Sequence, residues 1–304
     1  MSASICVVGS FMMDFTVRVS RQPLRGETII GERFDITPGG KGMNQAVAAA
    51  RAGARTTMIG VLGEDELGDR FIEALKSEGI DAGLVRRDPS AGTGVGLPMV
   101  MEDGENAIVI VPRANSSFSS EDVARVRPAL LSSDVVLVQF ELPLGPVAEA
   151  TREIRQGGGL VILNPAPALA PPPGIQFDYL VANSIEATHF AAGSGLEPEA
   201  LASHLYESWT PKGVVITLGA DGLVYEAGDG PVVVKAEQVD AVDTVGAGDA
   251  FCGYLAASLA EGASLSEAVE IAKVAGALCV TRPGAVDAIP TSDEVGRYRS
   301  ARAG

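Results

Sequence analysis

Short apolar runs alternate with alanine-rich, helix-forming stretches along nearly the whole of this chain. The apolar runs, which predict buried β-strands, span residues 5–8, 57–61, 135–140, 160–163, 179–182 and 214–218. The alanine-rich stretches predict helices over 44–52, 67–77, 120–130, 146–156, 200–208, 247–260 and 265–279. Strands that are apolar on both faces and separated by helices are typical of a parallel sheet covered by helices on both sides. The pattern therefore predicts an α/β fold with a mostly parallel central sheet.

Two segments, 15–36 and 93–112, interrupt this alternation. Each contains proline, glycine and alternating polar and apolar residues, and no helical stretch separates its strands. We expect them to form antiparallel strands that project from the main sheet as a β lid. The Pro/Ala-rich stretch 164–174 lies between apolar strands, so we interpret it as a rigid connector rather than a flexible linker. The sequence therefore predicts a single domain over residues 1–304.

The net charge of the chain limits the partners that it can bind. The 304 residues carry a formal net charge of −16. Nucleic acids and anionic membranes are bound through basic surfaces, so this charge argues against both as partners. A phosphate-bearing substrate would need a local positive field from helix N-termini, a few cations and a metal ion.

The cysteines and the apolar runs indicate a compartment. Cys6, Cys252 and Cys279 are far apart in apolar surroundings, and no CxxC pair occurs. Such cysteines are typical of buried, reduced thiols in a cytosolic protein. The N-terminus lacks a basic region followed by a long apolar stretch, and no apolar run reaches the roughly 18 residues that a membrane span needs. We therefore expect a cytoplasmic protein.

The strongest chemical signal is the stretch DTVGAGDAF, residues 243–251. Gly246, Ala247 and Gly248 have almost no side chain and precede an alanine-rich helix, so unpaired backbone N–H groups could converge on an anion. Asp249, in the first helical turn, could accept a proton from an incoming hydroxyl. An anion socket beside a carboxylate base is what phosphoryl transfer needs. The alternative is a plain helix cap with close glycine packing.

A second glycine-rich segment, residues 38–54, reads PGGKGMNQAVAAARAGA. Its Gly39-Gly40 pair predicts a tight turn at a helix start, where Lys41 and Asn44 could bind hydroxyl groups. The segment is neither a Walker loop nor a dinucleotide fingerprint, since both need other glycine spacings. Alone it is also consistent with an ordinary turn before a helix. The two glycine-rich segments together, in this order, favour a kinase.

The two segments resemble the paired signatures of the ribokinase-like (PfkB) carbohydrate kinases. Further stretches similar to ribokinases are PLRGETIIG (23–31), QFELPL (139–144), LNPAPA (163–168), ITLGADG (216–222) and VTRPGA (280–285), so the resemblance runs nearly end to end. It implies a three-layer α/β/α sandwich with a mostly parallel central sheet and a small β-sheet lid over the sugar. It also implies a homodimer formed through the lids.

The resemblance implies catalytic and sugar-binding roles for individual residues. Asp249 would be the general base that takes the proton of the sugar's terminal hydroxyl. Gly246, Ala247 and Gly248 would form the anion hole for the transferring phosphoryl group. The residues implied to line the sugar are Met12, Asp14, Gly40, Lys41, Asn44, Glu141 and Asp249. Carboxylates suit this task because they accept hydrogen bonds from adjacent hydroxyls.

The resemblance also implies a nucleotide site for ATP. VANSIE (181–186) is similar to the family's NxxE element, in which Asn183 and Glu186 help to organise Mg²⁺ and the phosphates through water. A helix cap followed by a surface acid is the alternative interpretation of this pair. The remaining residues implied to lie along the nucleotide are Thr217, Gly219, Gly222 and Lys273.

A monovalent-cation site, for K⁺, is the last site that the resemblance implies. Its cation would hold the anion-hole loop in shape, with ligands at or near Asp243, Val245, Cys279, Arg282, Gly284 and Ala288. Two positions depart from the family's pattern. Ala288 stands where ribokinases often carry a serine oxygen for the cation, and Lys273 stands where an asparagine or histidine often lines the nucleotide.

Met12, in the stretch GSFMMDF (9–15), is a third departure. Ribokinases usually read Gly-Ser-x-Asn-x-Asp here, so Met12 replaces an asparagine that points into the sugar site. Without that amide a substrate hydroxyl loses its partner, at a cost of about 1–3 kcal/mol, whereas a deoxy sugar gains apolar contact. Deoxyribokinases resemble this chain in carrying methionine at this place. The alternative is that Met12 is core packing and D-ribose is still preferred; Met13 should face the core.

The sequence thus predicts an ATP- and Mg²⁺-dependent kinase acting on the 5-hydroxyl of a pentose, either 2-deoxy-D-ribose or D-ribose. A kinase of another sugar or of a nucleoside on the same fold is one alternative, although aromatic residues, at 5%, are few for a base pocket. A non-catalytic sugar- or nucleotide-binding protein is the other. Such a protein would be expected to lose Asp249 or the anion hole.

Overall fold

The computed structural model describes residues 3–102, 106–209 and 211–302. Its strands are β1 (Ser4–Val8), β2 (Met12–Val19), β3 (Arg33–Gly39), β4 (Arg55–Ile59), β5 (Val61–Gly63), β6 (Arg86–Asp88), β7 (Val95–Met101), β8 (Asn106–Val111), β9 (Val135–Gln139), β10 (Leu160–Asn164), β11 (Tyr179–Asn183), β12 (Gly213–Thr217), β13 (Leu223–Glu226) and β14 (Val232–Val234). Its helices are α1 (Lys41–Arg51), α2 (Glu66–Ser77), α3 (Ser120–Ser132), α4 (Leu144–Gly157), α5 (Ser184–Phe190), α6 (Pro198–Trp209), α7 (Ala247–Ala260), α8 (Leu265–Cys279) and α9 (Ser292–Arg302).

The central sheet has eight strands in the order β14-β13-β12-β11-β10-β9-β1-β4. Neighbouring strands from β12 to β4 are parallel, and β13 and β14 extend one edge as antiparallel strands. Parallel neighbours need long crossover connections, which the intervening helices provide. The predicted α/β fold with a mostly parallel central sheet is confirmed.

Side chains of the central strands alternate between two hydrophobic cores. In β1, Ile5 and Val7 belong to the core that includes α1, α2, α7, α8 and α9, whereas Cys6 and Val8 belong to the core that includes α3, α4, α5 and α6. Successive side chains of a strand point to opposite faces, so a strand buried on both faces must be apolar throughout. Helices therefore cover both faces of the sheet, which gives three layers.

A separate four-stranded sheet, called the small sheet below, has the order β3-β2-β7-β8. It is built from the two segments that interrupt the alternation of strands and helices. The β2–β3 and β7–β8 pairs are antiparallel, as predicted, but β2 and β7, which join the two segments, run parallel. Residues 103–105 of the second segment lie outside the described residues.

The predicted and observed elements differ mainly at ends and edges. The predicted helices 247–260 and 265–279 coincide with α7 and α8. α1 begins earlier than predicted, at Lys41, because Gly40, with φ 91°, allows the chain to turn directly from β3 into the helix. The short helix α5, the C-terminal helix α9 and the edge strands β13 and β14 were not predicted.

Two further observations concern the cysteines and the helices. Cys6, Cys252 and Cys279 are buried and form no disulfide. Among the described residues, no helix combines the length and the apolar character that crossing a bilayer demands.

Candidate active site

Polar side chains collect at the carboxyl edge of the central sheet. Gln139, Asn164 and Asn183 are the last residues of β9, β10 and β11, and Ser10 follows β1 closely. Register pairs Gln139 with Asn164, and Asn183 with Thr217 of β12. Because parallel strands share one carboxyl edge, these residues lie along one side of the sheet, where α/β proteins bind ligands.

Asp249 lies where α7 meets α1. It is in the first turn of α7 and only 6% exposed. Each carboxylate oxygen accepts a hydrogen bond from a side-chain amide: Asn44 Nδ2 donates to Oδ2 and Gln45 Nε2 donates to Oδ1, both at 2.9 Å. Asn44 and Asp249 are 205 positions apart in the chain. The structure therefore brings together the two glycine-rich segments identified from the sequence.

The N-terminus of α7 can hold an anion beside Asp249. Gly246 has φ 78°, a left-handed conformation that favours glycine. The first i→i−4 bond runs from the Ala250 N–H to the Gly246 carbonyl, at 2.8 Å, and the Ala247 N–H donates weakly within the preceding turn. The N–H groups of Gly248 and Asp249 come before that first bond and donate to no other described residue. Together with the helix dipole, these N–H groups are donors of the kind that an anion socket needs.

Glu141 ties the end of β9 to the start of α1. Its carboxylate accepts hydrogen bonds from the Lys41 backbone N–H, at 3.0 Å, and from the Ser10 hydroxyl. The Gly42 N–H in turn donates to Ser10 Oγ at 3.5 Å. Three elements, β1, β9 and α1, thus fix the Glu141 carboxylate at the edge where Asp249 lies. Ser10 was not among the predicted site residues.

Asp14, on β2 of the small sheet, occupies a space that glycines leave open. A Cβ at Gly39 would lie 2.5 Å from Asp14 Oδ2, and one at Gly96 would lie 2.1 Å from Oδ1. Burial, with the nearby Glu141 charge, raises the pKa of Asp14 to about 6. The hydroxyl groups of a bound polyol would donate hydrogen bonds to a carboxylate in this position and stabilise its ionised form.

Met12 and Met13 face opposite sides of β2, as predicted. Met13 belongs to the core that includes α1 and α7, whereas Met12 lies on the same face of the strand as Asp14. The Met12 sulfur is 3.8 Å from Asn115 Nδ2, and a Cβ added at Gly94 would lie 3.0 Å from that sulfur. Met12 is 3% exposed, so its side chain fills the space between these two residues.

Lys41 supplies positive charge at the start of α1. Burial by itself would lower the pKa of its ammonium group, but the Asp249, Glu141 and Glu186 carboxylates raise it above its ordinary value. Lys41 is therefore a cation among three carboxylates. The electrostatic influence of Glu186 also shows that the predicted nucleotide element lies near the predicted sugar site.

Asn183 and Glu186 form a reciprocal capping box at the start of α5. Asn183 Oδ1 accepts the Glu186 N–H at 2.8 Å, and Glu186 Oε2 accepts the Asn183 N–H at 2.9 Å. This is the helix-cap arrangement that the sequence allowed as an alternative. It leaves Glu186 Oε1 without a hydrogen bond to the described residues, so one carboxylate oxygen can still accept a hydrogen bond from a ligand or a water.

The other residues predicted along the nucleotide fall into two groups. Thr217 lies beside Asn183 in the sheet, and Gly219 (φ 62°) and Gly222 (φ 106°) frame the turn after β12. Lys273, on α8, instead forms ion pairs with Glu237, at 3.2 Å, and Glu270, at 2.9 Å. The structure brings the first group together with Asn183, whereas the Lys273 ammonium group is held by carboxylates. 

The residues predicted around a monovalent cation come from two loops that Asp243 joins. Asp243 accepts the Val245 N–H through Oδ1 and the Gly284 N–H through Oδ2, both at 3.0 Å. Among the described residues, the Val245 carbonyl accepts a hydrogen bond from the Cys279 thiol, at 3.8 Å. Ala288 is fully buried and brings no side-chain oxygen. Arg282 turns to Glu294, at 2.5 Å, so any ligand from that residue would be its backbone carbonyl.

Sequence reasoning missed the buried amides behind Asp249. Gln45, Gln139 and Asn164 form hydrogen bonds with one another and lie at the sheet edge, as does Ser10 beside Glu141. A signal was present, because Gln139 and Asn164 each end an otherwise apolar strand. A polar residue in a buried strand needs a partner.

These features define a class of protein. A buried carboxylate beside a helix N-terminus that can hold an anion, together with a second cluster of carboxylates suited to hydroxyl groups, is the site of a phosphotransferase acting on a small polyol.

Comparisons with known proteins agree with that class. The family model described as pfkB family carbohydrate kinase matches residues 2–292. Ribokinase from Bacillus subtilis is 37% identical over 96% of this chain and 98% of its own, and deoxyribokinase from Salmonella typhi is 32% identical over 97% and 98%. The solved structure of Arabidopsis thaliana ribokinase complexed with ribose and ATP superposes with a TM-score of 0.87, at 30% identity, over 98% of each chain.

The chain belongs to the pfkB family of carbohydrate kinases. It is an ATP-dependent carbohydrate kinase with the ribokinase fold. The resemblance seen in the two glycine-rich segments is thereby confirmed.

Proposed function

We propose that the enzyme transfers the γ-phosphoryl group of ATP to the 5-hydroxyl of a pentose, with 2-deoxy-D-ribose preferred to D-ribose. The observation that carries the transfer chemistry is the position of Asp249, buried and held through both oxygens beside the free N–H groups of α7. The observation that favours a deoxy sugar is the apolar Met12 side chain on the face of β2 that carries Asp14.

In the proposed reaction, Asp249 accepts the proton of the sugar 5-hydroxyl as its oxygen attacks the γ-phosphorus. The new P–O bond forms while the bond from the γ-phosphorus to the β,γ-bridging oxygen breaks, and ADP leaves with that electron pair. The N–H groups of Gly248 and Asp249 face the charge on the transferring group, and Lys41 adds a cation nearby. Asp14, Asn44 and Glu141 orient the sugar hydroxyls.

Mg²⁺ and K⁺ belong to this proposal. The donor set near α5 fits Mg²⁺, since Glu186 keeps one carboxylate oxygen for a bound water. Bound Mg²⁺ would neutralise phosphate charge. The Val245 carbonyl and the Asp243 carboxylate fit K⁺, which oxygen ligands hold well, although Ala288 supplies one ligand fewer than a serine would. The three buried thiols are consistent with a reducing, cytoplasmic location.

The small sheet is proposed to act as the lid and as a dimer contact. Asp14 and Met12 lie on one of its faces, and a sugar bound there would be covered by the sheet. The opposite face is apolar and exposed, with Phe34, Ile36, Leu97, Val109 and Val111 between 40% and 60% accessible. Exposed apolar faces of this kind mark protein contacts.

D-ribose is the second candidate substrate. The Met12 sulfur lies near the Asn115 amide, so Met12 could be packing rather than a wall of the sugar pocket. The relatives include a ribokinase as well as a deoxyribokinase, at comparable identity.

An ADP-release assay with Mg²⁺ and K⁺ tests the proposal. We expect 2-deoxy-D-ribose to have the higher kcat/KM in the wild type, and Met12→Asn to shift the preference toward D-ribose by about 5- to 150-fold, which corresponds to the roughly 1–3 kcal/mol of one satisfied hydroxyl. Met13→Leu, on the core side of the same strand, is the matched control and should leave the preference unchanged.

Three outcomes would decide between the alternatives. A preference for D-ribose in the wild type and in Met12→Asn would contradict the deoxyribose proposal. Phosphorylation at another hydroxyl, read by NMR of the product, would contradict the 5-hydroxyl assignment. Replacing K⁺ by Na⁺ should lower the turnover, and an unchanged rate would argue against the cation site.

A further inference from the structure

A buried network of amide side chains lies directly behind Asp249. Gln45, on α1, and Gln139, at the end of β9, are fully buried, and Asn164, at the end of β10, is 8% exposed. We call these three residues the amide relay. It connects two strands of the central sheet to the carboxylate that the proposed function uses as its general base.

The contacts of the relay are short and run in one direction. Gln139 Nε2 donates to Gln45 Oε1 at 2.7 Å, and Gln45 Nε2 donates to Asp249 Oδ1 at 2.9 Å. Gln45 Nε2 also donates to Asn164 Oδ1 at 3.1 Å, and Asn164 Nδ2 donates to the Val181 carbonyl at 2.9 Å. Both Gln45 N–H donors are thus used, and its oxygen has a partner.

This direction follows from the charge state of Asp249. An ionised carboxylate only accepts hydrogen bonds, so Gln45 must turn its NH₂ group toward Asp249. Its oxygen then faces Gln139, which must donate. The orientation of each amide therefore follows from the Asp249 carboxylate being an acceptor.

Gln139 is held in this orientation at a cost. Its Oε1 is buried and has no hydrogen-bond partner among the described residues. That oxygen points to Gly9, where an added Cβ would lie 2.2 Å away. A buried polar atom without a partner is unfavourable. The side chain keeps this orientation although its Oε1 is unpaired. This is consistent with a role for its Nε2, the donor to Gln45.

We propose that Gln45, oriented by Gln139 and Asn164, is a positioning residue that holds the Asp249 carboxylate aimed at the acceptor hydroxyl. This inference rests on the proposed function, because it assigns Gln45 a role only if Asp249 is the base. Asn44, which donates to the other oxygen of Asp249, differs from Gln45, because its own Oδ1 is buried without a hydrogen-bond partner among the described residues.

The test uses Gln45→Met, which keeps the length of the side chain and removes its donors and acceptor. We expect kcat to fall about 10- to 100-fold, less than the roughly 10²- to 10⁴-fold that a general base contributes, because Asp249 itself remains. The sugar KM should change by less than about threefold. The acid limb of the kcat–pH profile should move to higher pH, because the ionised carboxylate loses a donor. A purely structural role would not move that limb.

Gln139→Met tests whether the effect is relayed. This variant touches Gln45 but not Asp249, so it should shift the profile in the same direction by a smaller amount. The double variant should be no slower than Gln45→Met, since residues acting through one another are not additive. Thr151→Val, which removes a buried hydroxyl from α4, is the matched control and should keep the wild-type kcat and pH profile.

Several results would overturn the inference. They are a wild-type kcat and acid limb in Gln45→Met, a rise in KM without a fall in kcat, or independent, additive losses in the double variant. If Gln45→Met does not fold, Gln45→Glu is measured instead; it keeps the acceptor for Gln139 and should move the acid limb further, and an unmoved limb would contradict the proposal. Wild-type turnover and its loss in Asp249→Asn are measured first, so failure there contradicts the proposed function itself.

Discussion

At Asp14 the proposed role in sugar binding opposes folding stability. Burial and the Glu141 charge raise its pKa from 3.8 to about 6. The folded state therefore binds more protons than the unfolded state between these two values, and stability falls as the pH rises through this window. Above pH 6 the ionised Asp14 lowers the free energy of unfolding by its full amount, about 1–3 kcal/mol. This range converts the pKa shift at 1.36 kcal/mol per unit and treats the result as an upper bound.

The first prediction concerns Asp14→Asn without sugar. At pH 8 we expect this variant to be more stable than the wild type by about 1–3 kcal/mol, because it removes the buried charge. The difference should shrink as the pH falls through 6 and vanish below about 4, where the wild-type carboxyl is protonated. Urea unfolding at pH 4, 6 and 8 measures it.

Asp229→Asn, at an exposed turn before β14, is the matched control and should change the free energy of unfolding by less than about 0.5 kcal/mol. A stability difference for Asp14→Asn that is the same at all three pH values would contradict the assigned cause. Sugar should stabilise the wild type more than the variant, since bound hydroxyls donate to the ionised carboxylate.

At the scale of elements, Asn115 joins the small sheet to the central sheet. It lies in the turn that follows β8 and is fully buried. Its Nδ2 donates to the Phe11 carbonyl, at 2.7 Å, and to the Pro112 carbonyl, at 3.0 Å, and its Oδ1 accepts the Phe11 N–H at 3.0 Å. The entry to β2 and the exit from β8 are thus held by one side chain.

We predict that Asn115→Ala lowers the free energy of unfolding by about 2–4 kcal/mol, since it leaves buried backbone groups at Phe11 without partners. The sugar KM should rise more than kcat falls, because the residue anchors Met12 and Asp14 rather than the base. Urea unfolding and steady-state kinetics measure the two effects. Asn115→Asp keeps an acceptor for the Phe11 N–H but turns a carboxylate oxygen toward two carbonyl oxygens, so it should destabilise the protein at least as much as Asn115→Ala. A fully stable Asn115→Ala would refute the anchoring role.

How far the elements could be predicted depended on what buries them. The strands of the central sheet and the helices α7 and α8 are apolar over their whole length, so the sequence identifies them. α9 has a single buried residue, Val295, and therefore shows no apolar period. β14 exposes Val232 and Val233 at the sheet edge, and α5 is too short for a helical period to be visible.

The candidate site was also predictable only where the signal is local in the sequence. Glycine-rich turns and the polar residues beside them are visible in the local sequence, which is why Asp249, Asn44 and Lys41 could be named as candidates. The partners Gln45 and Gln139 were missed, because a hydrogen bond between residues 94 positions apart depends on the register of strands and helices. Local sequence patterns carry no such information.

At the scale of the whole molecule, the face of the small sheet opposite Asp14 exposes apolar side chains, including Phe34, Leu97 and Val109. Phe15 and Phe34 stack there, with ring centroids 6.2 Å apart, and Leu97 and Val109 pair across β7 and β8 beside them. The face opposite carries Asp14. A second protomer seated on the apolar face would bury it without closing the sugar site. The two protomers would each carry a charge of −16, so they would repel at low ionic strength.

We therefore predict a dimer whose dissociation constant falls as salt screens this repulsion. We also predict that Val109→Lys disrupts this dimer. A lysine at this 60% exposed position would place a charge in the apolar contact, where it loses hydration without a partner, so the dissociation constant should rise at least about 10-fold. Sedimentation velocity across protein concentrations at low and moderate salt measures both effects. Val233→Lys, at a 55% exposed position on β14, is the matched control and should leave the dimer unchanged. A wild-type monomer at all concentrations, or equal disruption by both substitutions, would rule out the small sheet as the contact.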